Sequence, residues 1–198
     1  MRREALAIAV AVLLAGCGAK APPEMVQHYT GRTLYTCCNI HYSDEVINDA
    51  NYSDGKIVPL GSPVRIVEVM PDAITFEAAG TTLTVQQVYG KGKETPQQYF
   101  DKLFVEKNPA ERVAPMPAAV QKAVKEGRVE RGMTRQEVVL ALGYPPIDDN
   151  PTPSSPDWKM WHSKGKSYTV KFIGKYVDEV VGNPAPTTGK PVRKLVVR

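Results

Sequence analysis

The chain reads as an α+β protein: a β-rich first half built as a small barrel-like or folded sheet, then two helices followed by a three-stranded antiparallel sheet. Three observations predict this. Residues 64–69 alternate apolar and polar side chains with the period of a strand. Thr134-Arg135-Gln136-Glu137 is a capping box opening an apolar helical run that Gly143 ends. After residue 157 come three short strand-like runs separated by Gly-containing turns.

From the N terminus, Arg2 and Arg3 precede an apolar stretch over 5–14 and the small-residue site Leu14-Ala15-Gly16-Cys17, the layout of a secretory signal peptide. The apolar run is about ten residues, short of the ~20 that a bilayer-spanning helix needs, so removal of 1–16 is expected. Residues 17–28, with Pro22 and Pro23, read as a tether that contributes no core. Within 29–107, turns at 59–63, 70–72 and 79–81 separate the strand at 64–69 from strands at 74–77 and 82–85. Thr95 and Pro96 then start a helix whose Tyr99, Phe100, Leu103 and Phe104 recur at helical spacing.

The stretch from Asn108 to Pro117 carries three prolines, and 108–116 reads as a linker. The second unit, 117–182, begins with a helix that sets Val120, Ala123, Val124 and Gly127 on one face. Its second helix presents Val138, Val139, Ala141 and Leu142, and Pro145-Pro146 prevents continuation. Residues 148–157 are a proline-rich loop. Strands follow at 158–162, 167–172 and 176–181, and in the middle one Tyr168, Val170 and Phe172 share a face that the helices should cover. A basic tail, 183–198, closes the chain, and a solvated, frayed end is expected there.

The net charge of +4 is too mild to argue for nucleic acid. No nucleophile, metal or phosphate-binding motif stands out, so no catalytic residue and no cofactor are expected. His28, His41 and His162 lie far apart in sequence, and Glu77, Asp148 and Asp149 read as surface charge. The stretch 49–55 fails as a calcium loop because Asp54 holds the glycine position and Leu60 the twelfth; side chains bonding their own backbone account for it. Cys37 and Cys38 can pair with each other, pair between chains or stay free. In a strand they point to opposite faces, which predicts one buried and one exposed thiol. A metal site using Cys37, Asn39 and His41 lacks a fourth ligand, so no metal is expected.

Leu14-Ala15-Gly16-Cys17 is similar to the lipobox of bacterial lipoproteins. That resemblance implies cleavage between Gly16 and Cys17, palmitate-type acyl chains on Cys17, and attachment to a membrane; more than one chain makes such anchoring durable. Gly18, standing where aspartate would retain a lipoprotein at the inner membrane, favours the outer membrane, facing the periplasm. The succession of strands before residue 88 resembles bacterial SH3-like barrels. Finally, residues 131–138, Leu142-Gly143-Tyr144-Pro145, Trp158, Trp161, the strand 168–172 and Val177 together resemble the BamE (SmpA/OmlA) lipoproteins over about 117–182.

The BamE resemblance implies a two-helix, three-stranded unit of the kind also seen in β-lactamase-inhibitor-like proteins, and a non-enzymatic scaffold accessory to outer-membrane protein assembly. Trp158, Trp161 and Tyr144 are then the candidate partner surface. The SH3-like resemblance and the basic tail imply the alternative, a peptidoglycan-binding lipoprotein. Fold analogy alone places an envelope enzyme inhibitor behind both.

Overall fold

The computed structural model describes residues 20–182 and 185–193, so Gly16, Cys17 and the leader lie outside the described residues. The protein is α+β, with two hydrophobic cores. Among the described residues no helix is long and apolar enough to cross a membrane.

The first unit opens with α1 (Pro23–Tyr29), where a tether was expected. Pro23 suits the first helical position, and Met25 and Tyr29, four residues apart, bury one side of the turn. The Tyr29 hydroxyl donates to Asp101 at 2.8 Å, so the segment belongs to the first core. The strands β1 (Leu34–Thr36), β3 (Val46–Asn48), β5 (Pro63–Val69), β6 (Ala73–Ala78), β7 (Thr81–Gln86) and β8 (Phe104–Val105) form a curled mixed sheet ordered β3-β7-β6-β5-β1-β8. It curls without closing, since β3 and β8 are its edges. β3 lies parallel to β7, whereas the other pairings are antiparallel. In β5 the register shifts between Ile66 and Glu68, which leaves Val67 exposed and interrupts the simple alternation. A separate antiparallel pair joins β2 (Ile40–Tyr42) to β4 (Lys56–Val58).

α2 (Pro96–Leu103) is capped by the Thr95 and Gln98 capping box and buries Tyr99 and Phe100. The supposed linker holds a helical turn, α3 (Ala110–Val113), started where Asn108 accepts from the Ala110 amide. α4 (Ala118–Lys125) and α5 (Arg135–Leu142) follow, and Thr134 and Glu137 form the expected capping box on α5. The second sheet is the meander β11-β10-β9, made from β9 (Asp157–Ser163), β10 (Lys166–Ile173) and β11 (Tyr176–Val181). Tyr168, Val170 and Phe172 face α4 and α5 in the second core, as the alternation requires.

Helix α5 departs from the one-faced pattern. Val138, Ala141 and Leu142 are buried, but so is Leu140, while Val139 is half-buried. The cause is a neighbour on each side: the three-stranded sheet covers one face and the first unit covers another. The C-terminal segment is also docked rather than frayed over 185–193. The Val192 amide donates to Arg131 O at 2.8 Å, and the Arg193 guanidinium grips both carboxylate oxygens of Glu137 at 2.7 and 2.5 Å. Thr187 and Thr188 hydroxyls donate to Glu130 at 3.0 and 2.7 Å.

Candidate functional site

A helix leaves its last carbonyls without intrahelical donors, and a buried one must find them elsewhere. At the end of α5 they come from the first unit. The Asn39 amide donates to Leu140 O at 3.0 Å, and its side-chain amide donates to Ala141 O at 3.1 Å and to Val124 O, in α4, at 2.6 Å. His41 Nε2 donates to Ala141 O at 3.3 Å, and the Asn51 side chain donates to Leu142 O at 2.9 Å and Tyr144 O at 2.7 Å. Asn51 sits at φ +50°, a left-handed conformation that asparagine tolerates better than most residues.

Two glycines allow the close approach. Gly127, after α4, has φ +61°, and a β-carbon there would lie 2.7 Å from the His41 ring. Gly143, at φ +80°, stops α5, and a β-carbon would lie 2.8 Å from the Asn51 side-chain nitrogen. The loop 49–55, expected to bond mainly to itself, is thus largely committed to other segments. Asp49 accepts from the Val88, Tyr89 and Gly90 amides at 2.9, 3.0 and 2.6 Å, and Ser53 accepts from the Tyr168 hydroxyl at 3.1 Å.

His41 is buried in this seam, and burial pushes its pKa below the ordinary histidine value, with the Ala141 carbonyl and Asp54 opposing and His162 adding to the depression. The folded protein therefore resists a proton that the unfolded chain accepts below about pH 6.5. Stability from this group is present above that pH and is lost as pH falls from it toward the folded value. Urea midpoints measured from pH 7.5 to 5 should fall with pH, by no more than about 1.4 kcal/mol per pH unit for one proton. The His41→Gln variant should show a flatter profile; an unchanged slope would assign the acid sensitivity to other groups.

Beside the seam the two units leave a groove of about 700 Å³. One wall runs from α2 through β8 to α3; the other is α5 with the loop after it, and Cys37 also lines the groove. Val139, Leu140, Ile147 and the edge of Trp158 make the apolar surface. Lys107, Arg112 and Arg135 stand around it, and Glu111 is the sole acidic residue of the lining. Arg135 is positioned by Gly174 O and Ser155 O at 2.6 and 2.8 Å, with its guanidinium 4.0 Å from the Phe172 ring centre. Its Nε is buried without an acceptor among the described residues. Partial burial pushes the Arg135 pKa down from the usual arginine value.

The structure separates the three aromatic residues of the candidate partner surface. Trp158 is 2 % exposed and fills the second core against Phe172, donating its indole N–H to Pro153 O at 3.1 Å. Trp161 is half-buried, donating to Asp149 at 2.7 Å. Tyr144 is 38 % exposed on the groove, with the Lys102 ammonium 5.7 Å from its ring centre.

Cys37 and Cys38 are both buried and disulfide-bonded to each other. The expectation of one exposed thiol fails because the pair sits in the bend between β1 and β2 rather than within a strand. Among the described residues no group of three or more His, Cys, Asp or Glu side chains is placed to hold a metal ion. Lys107 and Arg112 were not singled out from the sequence, and Asn39 and Arg135 entered only through a metal set lacking a fourth ligand and a capping box. Lys107 and Arg112 lie at and within the proline-containing stretch read as a linker, which gave no signal of a binding wall.

No family model, curated protein or solved structure matches the chain.

Proposed function

We propose that this chain is a lipid-anchored protein of the bacterial envelope that works by binding, with the groove between its two units as the working face. The groove carries this reading: a mainly apolar concavity of about 700 Å³ with a few charged groups at its rim has the character of a ligand site. The signal-like leader and the lipobox-like Leu14-Ala15-Gly16-Cys17 support anchoring through Cys17 and an outer-membrane location. The BamE-like pattern over 117–182 supports a role beside the outer-membrane assembly machinery, and the β-rich unit before it supplies the second wall of the groove.

The docked tail weakens the motive for wall binding, since Arg193 is committed to Glu137 instead of facing an anionic polymer. The test is affinity purification of the tagged full-length protein from gently solubilised membranes, beside Cys17→Ala and Val139→Arg forms. Acyl incorporation should require Cys17, and β-barrel assembly components should be recovered with the unaltered chain and depleted about tenfold with Val139→Arg. Equal recovery from all three forms would refute the groove as the working face. Unchanged acylation of Cys17→Ala would refute the anchor.

A further inference from the structure

We infer that the groove takes a long-chain carboxylate, its alkyl chain on the apolar wall and its head among the rim cations; this deepens the binding reading above and rests on it. The charge balance is the first argument. Among the described residues no carboxylate pairs with Lys107, Arg112 or Arg135, whereas Lys102 of the same lining is held by Glu94 at 2.5 Å. Arg112 reaches a neutral partner, Gln136, at 3.2 Å, and Arg135 reaches backbone carbonyls. Three cations against Glu111 leave a positive rim beside apolar surface, which favours an anionic head on an apolar body.

The second argument separates an alkyl chain from a peptide. An extended peptide brings backbone N–H and C=O groups, and each one buried without a partner is costly. Asn150 and Asn108 of the groove, and the Gln136 side-chain oxygen, are already engaged. Asn150 bonds Pro146 O, Lys159 O and the Lys159 amide; Asn108 bonds the Ala110 amide and Gly61 O; Gln136 accepts from Arg112. An alkyl chain asks for none of these partners. Size agrees, since about 700 Å³ lies within the ~300–1,000 Å³ of sites for single small ligands.

The test titrates oleate into the full chain carrying Cys17→Ser, so that no acyl chain of its own competes, with calorimetry for affinity and native mass spectrometry for stoichiometry. One oleate should bind per chain, about tenfold or more weakly to Arg112→Glu and to Lys107→Glu, and with unchanged affinity to Lys171→Glu, a cation remote from the groove. Methyl oleate, without the charge, should bind about tenfold more weakly than oleate. Absence of oleate binding, or equal affinity in the Arg112, Lys107 and Lys171 variants, would overturn the inference. Binding of an acidic apolar peptide in place of oleate would overturn the ligand class while leaving the groove a binding site. If oleate fails and Val139→Arg also changes nothing in the membrane purification, the groove reading falls with it.

Discussion

Asn39→Ala is expected to lower the unfolding free energy by about 3 kcal/mol, because it strips the seam of a side chain that serves both helices of the second unit. Asn39 is 2 % exposed; its amide donates to Val124 O and Ala141 O, and its oxygen accepts from the Leu60 amide at 3.0 Å. Alanine removes three hydrogen bonds and leaves a gap too enclosed to hydrate freely. The loss is tempered, since Val124 O also receives the Gly127 amide and Ala141 O still receives His41. The energetic effect should come with uncoupling. Urea unfolding followed by tyrosine and tryptophan signals should lose coincidence, as both tryptophans lie in the second unit and the first reports through tyrosine. A loss below about 1 kcal/mol with coincident transitions would mean that water replaces the side chain.

Glu137→Ala should cost about 3–5 kcal/mol, for two reasons that act at one residue. Glu137 is 4 % exposed and closes the capping box by accepting from the Thr134 amide at 2.8 Å. It also holds Arg193 through two bonds, so its removal leaves a guanidinium with a buried face and no counter-charge. Burial alone would raise the Glu137 pKa, but bonds from Arg193 and Thr134 outweigh it and hold the carboxyl below the usual glutamate value. Its contribution is therefore present above about pH 4.3 and lost as pH falls through the lower folded value. Arg193→Ala should reproduce most of the loss, and the double variant should cost less than the sum of the singles. Additive losses in thermal or urea unfolding would mean that the two side chains act independently.

Local chemistry made the second unit legible. Thr134 and Glu137 mark the start of α5, Gly143 its end, and Tyr168, Val170 and Phe172 the buried face of β10; each signal lies within a few residues of what it specifies. Contacts made across the chain were not legible. α1 has one proline, a second just before it, and two apolar anchors, Met25 and Tyr29, which as a sequence is hard to tell from a tether. Leu140 fell outside the apolar stripe because a helix covered on two sides has no single stripe. The same holds for the groove: its walls come from 102–112 and 135–158, two stretches whose prolines signal loops but not that they face each other.

The clasp of Arg193 on Glu137 also bears on when the protein can finish folding. A chain delivered N terminus first has α5 in hand long before its counter-charge, so the buried Glu137 carboxylate lacks Arg193 until residue 193 has emerged. A chain cut before residue 193 would lack this latch and should present α5 more readily to proteases.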